Sequence, residues 1–392
     1  MKTRKNILPS FITVIIFSFV LYAVMIFLQP RLPHLTFMIT SHDSWIEKAA
    51  TEPLYRFLWF LGDMSEVVFH KSILGSLGLI VGSLIGYRLS KTRSKWQGFP
   101  IGDGMFPWIF ISSLIGLMLS VYLFGANLSG GWMPTFVPFV SVPATVVLIY
   151  GGGWKNSIIG GVLGSLFTFP ISAFILESFL IPLDLPPLIG NVLGMAFGAI
   201  IVLELLNASP WMEKKDIEEE KQDDIFEETD SREDYSSNKW FFRRLLADFT
   251  VANFFGNEIA GAGLFIGSML SWALNPTLIS YGTLNFPAVI LSQLLAVSIG
   301  IFIYYDQWKE SGFYPTFVPG VSVAPAVALF FNGSMESILV GAILGAVAAP
   351  PLANFIINKL PVHWHPLIGN TLSMGVCTTV ITLILKYVSI LG

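Results

Sequence analysis

Residues 134–142 read PTFVPFVSV and residues 315–323 read PTFVPGVSV, a match at eight of nine positions 181 residues apart. Proline removes a backbone donor and clashes with the preceding helical turn. Pro134, Pro138 and Pro143 crowd the first element, and Pro315, Pro319 and Pro325 crowd the second, with Gly320 added. Neither segment can be a regular helix, so each frees carbonyl groups that must find partners.

The match extends in both directions. Phe106-Pro107 corresponds to Phe286-Pro287, and Gly78-Leu79 with Gly82-Ser83 to Gly263-Leu264 with Gly267-Ser268. Gly160, Gly164 and Pro170 correspond to Gly341, Gly345 and Pro351, and PLIGN occurs at 187–191 and again at 366–370. Six collinear matches, with an offset confined to 179–185, mark an internal duplication.

The medium follows from composition. Charged residues make up 12% of the chain and mean hydropathy is +0.69; a soluble domain carries about 25% charge. Apolar stretches such as Ile7 to Gln29 and Met105 to Ala126 have the roughly 20 residues that cross a bilayer. The net charge of −4 is local: residues 213–234 hold 12 acidic and 4 basic residues, and the remainder is +4. That segment is too polar to fold alone and reads as a cytoplasmic connector. The first apolar run is too long for a signal peptide and lacks a cleavage site, so it reads as a retained span.

Each copy contains five apolar elements, at about 69–88, 105–126, 134–152, 157–181 and 187–206, and at about 255–275, 286–305, 315–331, 337–357 and 366–386. If all cross, the number per copy is odd and the copies are antiparallel. With the N-terminus inside, 17 Lys and Arg fall in the cytoplasm and 5 outside. If the PTFVP element does not cross, the count becomes 8 against 14. The expected fold is therefore an all-α polytopic membrane protein of about 11 transmembrane helices. It comprises an N-terminal span and external segment (1–44), repeat 1 (45–206), an acidic linker (207–239) and an inverted repeat 2 (240–392). The linker is cytoplasmic, the C-terminus external and the location the plasma membrane. The aromatic stretches Trp45 to Phe69 and Trp240 to Phe255 read as helices lying along the membrane surface.

In lipid, freed carbonyls are tolerated only inside protein or along a cavity. Inverted-repeat transporters place broken helices near the midplane, where backbone groups bind substrate. This layout resembles that architectural class. The expected substrate-binding residues are Thr135, Pro138, Ser141, Thr316, Pro319, Gly320 and Ser322, with Asn191 and Asn370 of the PLIGN pair. Glu177, Glu204, Glu258 and Asp306 are the ionisable groups nearest the spans and read as interfacial. His363 and His365 are weak metal ligands, and Cys377 is the only cysteine. No HExxH, P-loop or GxSxG motif occurs, so no catalytic or metal residue and no cofactor is expected. The function expected is a secondary transporter for a small solute, working by alternating access. A channel-like facilitator, or an enzyme or assembly factor acting on lipid-linked envelope precursors, is the alternative. The implied partners are lipid, the solute and, for coupled transport, an ion; none is nucleic acid.

Overall fold

A computed structural model of the protein describes residues 4–35, 39–125, 133–212, 235 and 237–391. They form helices and turns, with no strand among them. The 213–234 connector lies outside the described residues. The helices are α1 (Arg4–Leu28), α2 (His42–Thr51), α3 (Pro53–Asp63), α4 (Ile73–Lys91), α5 (Phe106–Phe124), α6 (Val142–Tyr150), α7 (Trp154–Ile175) and α8 (Leu188–Asn207). Then follow α9 (Asn238–Val251), α10 (Glu258–Leu274), α11 (Phe286–Ile303), α12 (Tyr305–Ser311), α13 (Ala324–Phe330), α14 (Met335–Ile357) and α15 (Leu367–Leu391).

Among the described residues, eight helices are long and apolar enough to cross a membrane: α1, α4, α5, α7, α8, α11, α14 and α15. Three apolar helices are shorter: Val137–Tyr150, Glu258–Leu274 and Pro319–Phe330. This is the architecture of a multi-pass membrane protein. Most of α11 is buried, whereas α1 is largely exposed and packs on it by stacking Phe11 against Phe302 at 4.4 Å.

Matched sequence positions carry matched local structure. Ser72 caps α4 by accepting from Gly75 N at 3.1 Å, and Asn257 caps α10 by accepting from Ala260 N at 3.1 Å. Before each cap the chain turns through a left-handed phenylalanine, Phe69 (φ 63°) and Phe254 (φ 61°). A hydroxyl closes each turn: Ser65 Oγ donates to Ser72 O at 3.0 Å, and Thr250 Oγ1 to Asn257 O at 3.1 Å. Each turn is also fastened to a distant loop. Ser280 Oγ donates to Phe69 O at 2.7 Å, and Gly102 N to Phe255 O at 3.2 Å.

α4 and α10 cross with their backbones touching. A Cβ on Gly78 would lie 2.1 Å from Gly263 O, and one on Gly263 2.2 Å from Gly78 O. A Cβ on Gly82 would lie 2.6 Å from Ile259 O, and one on Gly267 2.1 Å from Leu74 O. Numbers rise along one helix as they fall along the other, so the pair is antiparallel. The contact is also reciprocal: each residue lies 185 positions from its counterpart. No side chain larger than hydrogen fits here.

Two expectations need correction. α3 and α9 are not helices whose charges all face outward: Trp59, Trp240 and Phe241 are buried, and so are Asp63, Arg244 and Asp248. Lys71 and Arg244, counted above as loop charges, are buried as well. Removing one from each side leaves 16 inside and 4 outside, so the asymmetry survives. The reason is that each cation has a carboxylate within the protein.

Gly263→Val should destabilise the protein by about 1–3 kcal/mol through overpacking against backbone. Its melting temperature in detergent should fall clearly below that of Ile266→Val, a change on an exposed face. Equal melting temperatures would remove the close crossing.

Candidate functional site

The proline-rich segments break differently. In the first, a short 3-10 turn, Val137–Val140, meets α6 at Ser141, whose backbone (φ −143°, ψ −118°) is not helical. In the second, a π turn, Pro319–Val323, runs into α13. Gly320 replaces Phe139 here, and a Cβ on it would lie 2.1 Å from Val297 Cγ2. Hydroxyls take up freed carbonyls. Ser141 Oγ donates to Val137 O at 2.7 Å, Ser322 Oγ donates to Val318 O, and Ser112 Oγ donates to Pro143 O at 3.0 Å.

The threonine of each PTFVP motif ties the broken element to a buried charge. Thr135 Oγ1 donates to Asp63 Oδ2 at 2.7 Å and accepts from Trp59 Nε1 at 2.9 Å. Thr316 Oγ1 donates to Asp248 Oδ2 at 2.8 Å and accepts from Trp308 Nε1 at 3.1 Å. A cation completes each set. Lys71 binds both Asp63 and Glu66, and its ammonium lies 3.6 Å from the Trp59 ring centre. Arg244 Nε donates to Asp248 Oδ1 at 2.8 Å, and its guanidinium lies 4.8 Å from the Trp308 ring centre. Each half therefore closes a ring of aspartate, threonine, tryptophan and cation in the protein interior. Such charges are tolerated only when paired and fully hydrogen-bonded.

The parts are not all matched in sequence. Asp63 and Asp248 are 185 apart and the threonines 181, but Trp59 aligns with Arg244. Trp308 comes instead from α12, and Lys71 aligns with Gly256. The aspartate and threonine are shared, while cation and indole are recruited from different places.

Between these rings lies a cavity of about 680 Å³, within the range of small-molecule sites. Its walls pair off: Phe136 with Phe317, Val140 with Val321, Leu188 with Leu367, Asn191 with Asn370, Val192 with Thr371, and Met195 with Met374. Glu66, Phe69, Tyr281, Phe254, Arg244 and His365 also line it. Asn191 Oδ1 accepts from Ser172 Oγ at 3.3 Å, whereas the buried Asn370 Oδ1 has no hydrogen-bond partner among the described residues.

Of the residues expected from sequence, Asn191, Asn370 and Ser322 line the cavity. Thr135, Ser141 and Thr316 are fully buried and bonded to protein groups. Pro138, Pro319 and Gly320 are buried behind the cavity wall and shape the breaks. The interfacial reading of Glu258 misses its partners: it accepts from Phe99 N at 2.8 Å and Arg243 Nε at 2.6 Å. Glu204 accepts from Trp364 Nε1 at 2.6 Å and pairs with His363 at 2.7 Å. No group of three metal-ligating side chains occurs among the described residues. Sequence reading missed Asp63, Glu66, Lys71, Arg244 and Asp248. The signal was there: extending the glycine alignment upstream at its own offset sets Asp63 over Asp248.

Compared with protein-family models and with curated proteins, the chain matches none. A functional assignment then rests on the site itself.

Thr316→Val should cost about 1–3 kcal/mol, because it strips a hydrogen bond from Asp248 and from Trp308 at once. Arg244→Met should cost about 3–5 kcal/mol by leaving Asp248 unpaired, and adding Asp248→Leu should recover part of that loss. Thermal unfolding in detergent measures all three, and a double variant as unstable as the sum of both singles would refute the pairing.

Proposed function

We propose that this chain is a secondary transporter for a small solute, with its binding site in the cavity between two inverted halves. The observation that carries this reading is the cavity wall itself. Six pairs of residues at equivalent positions, one of them the PLIGN asparagines, enclose one small-molecule-sized space. A site shared symmetrically by two units can be exposed to either membrane face as they rock.

The arrangement has eleven spans, formed by the eight long helices and the three shorter ones. Inversion is supported by the antiparallel, reciprocal crossing of α4 and α10, since parallel copies would set equivalent helices parallel. Five contacts between chain ends and loops support it too. Leu35 N meets Leu274 O at 3.1 Å, Ser10 Oγ meets Asn238 Oδ1 at 2.6 Å, and Phe99 N meets Glu258 at 2.8 Å. Lys386 Nζ meets Asp184 Oδ2 at 2.6 Å, and His363 Nε2 meets Glu204 at 2.7 Å. Eleven crossings put both members of every pair on one face. Four crossings per copy would put them on opposite faces.

The cavity lining is lopsided in this arrangement. Loops at 99–103, 254–256, 311–313 and 365–366 belong to the cytoplasmic face, as do Tyr235 and Trp240. Among the described residues, the external face supplies Glu66, Val67, Phe69 and Tyr281. The conformation is therefore read as open to the cytoplasm. The solute is small, with a largely apolar body and polar groups that meet Asn191 and Asn370. Its transport across a plasma membrane needs no catalytic residue.

Sidedness is tested with single cysteines in a Cys377→Ala background. Leu183→Cys should react with an impermeant maleimide in intact cells, and Val362→Cys only after permeabilisation; one pattern for both defeats inversion, and the reverse pattern defeats the assigned orientation. Both positions are well exposed.

Transport is tested in proteoliposomes offered a panel of labelled small solutes. Saturable uptake is expected, and Asn191→Leu with Asn370→Leu should lower it about tenfold or more, since about 1.4 kcal/mol of lost contact is a factor of ten. Turnover of a lipid-linked precursor without any solute flux would replace this reading with the enzymatic one.

A further inference from the structure

The two buried rings differ by one acid. Asp248 and Arg244 balance each other, one anion to one cation. On the other side Lys71 faces two carboxyls, Asp63 and Glu66, and all three side chains have no solvent exposure. With both acids ionised the cluster would hold a net negative charge in the protein interior, which burial strongly disfavours. The position 185 residues beyond Glu66 is Val251, which lines the same cavity. The architecture thus works with an apolar residue at this place, and the extra carboxyl is not needed to close the ring.

Glu66 is the one acid of its cluster that reaches the cavity. Titratable groups surround it. Lys71 and Asp63 are bonded into the cluster, Tyr281 is hydrogen-bonded to Glu66, and His42 packs on Tyr281 and Trp59 with ring centres 5.7 Å away in each case. Glu66 lies between α3 and α4, outside the spanning helices. Burial pushes its carboxyl up, the Lys71 ammonium pulls it down, and the Asp63 carboxylate pushes it up again. A second feature of the cavity is Asn370 Oδ1, buried there without a hydrogen-bond partner among the described residues.

We infer that Glu66 is a proton-binding site of the cavity and supplies the coupling ion for solute movement. Once movement of its neighbours lets cavity water meet the covered side chain, a hydronium ion gives its proton to the carboxylate, leaving water and a neutral carboxylic acid. The cluster then holds one anion, Asp63, against one cation, Lys71, as the other ring does. In the opposite conformation the acid returns its proton to water on the other face. An ionisable group inside a membrane protein, bordering a cavity, is suited to such a relay. The coupling role rests on the transport reading above; proton binding does not.

The test uses the full-length protein in lipid nanodiscs, with acid–base titration and infrared spectroscopy from pH 5 to pH 9. Wild type should show the carbonyl stretch of a protonated carboxyl that fades as pH rises, and should release roughly one proton more than Glu66→Gln over that range. Should that variant fail to fold, the wild-type spectrum decides by itself, because no protonated carboxyl at pH 6 overturns proton binding. Identical titrations of wild type and Glu66→Gln overturn it as well. Proteoliposomes then test coupling. Wild type should concentrate solute only under an imposed pH gradient, and Glu66→Gln should equilibrate solute without concentrating it. Wild-type uptake that ignores the gradient overturns coupling and leaves transport standing. Proton binding without any solute movement defeats the transport reading and leaves the proton site standing.

Discussion

An aspartate inside an apolar protein has to be neutralised where it stands, and here that requirement organises both halves of the chain. Asp63 and Asp248 each hold a threonine of the broken element, and each threonine holds an indole. The broken segments cannot be positioned by helical hydrogen bonding, because their prolines remove it. They are positioned by these acids instead. The cavity wall, built from the residues next to those threonines, inherits its geometry from a pair of buried charges.

The second constraint is the glycine crossing of α4 and α10. Backbone-to-backbone contact leaves no side chains to adjust, so the separation and register of the two helices are tightly set. Yet glycine surfaces offer no interlocking knobs, and such a joint resists separation more than it resists rotation. The α3–α4 and α9–α10 turns flank this joint, and they carry the charged rings. A rocking motion about the crossing would move the rings with their helices and change which loops reach the cavity.

Much of this was legible in the sequence. The apolar elements stand close to their expected positions because length and hydropathy depend on local composition alone. PLIGN and PTFVP stood out because prolines and an asparagine have no reason to recur in apolar sequence. Asn191, Asn370 and Ser322 reach the cavity, but the threonines and Ser141 serve the protein's own groups, a distinction that depends on three-dimensional packing. The charged rings were not legible. Asp63, Arg244 and Asp248 sit in aromatic stretches that look like interfacial helices when each is read alone, and Lys71 follows the first of them. Their neutralising partners lie within eight residues, but pairing cannot be read from hydropathy. Only the constant offset from Asp63 to Asp248, set by Gly78 and Gly263, exposes them.

The helix crossing carries one more consequence. Gly78 meets Gly263, and Leu74 meets Gly267 as Ile259 meets Gly82, so one patch is joined to its own counterpart. Such a patch is self-complementary. Two separate chains, each carrying a single unit and lying in opposite senses, could form the same joint without any linker. Joined in one polypeptide, the two sides of the joint are free to differ, as Glu66 and Val251 do.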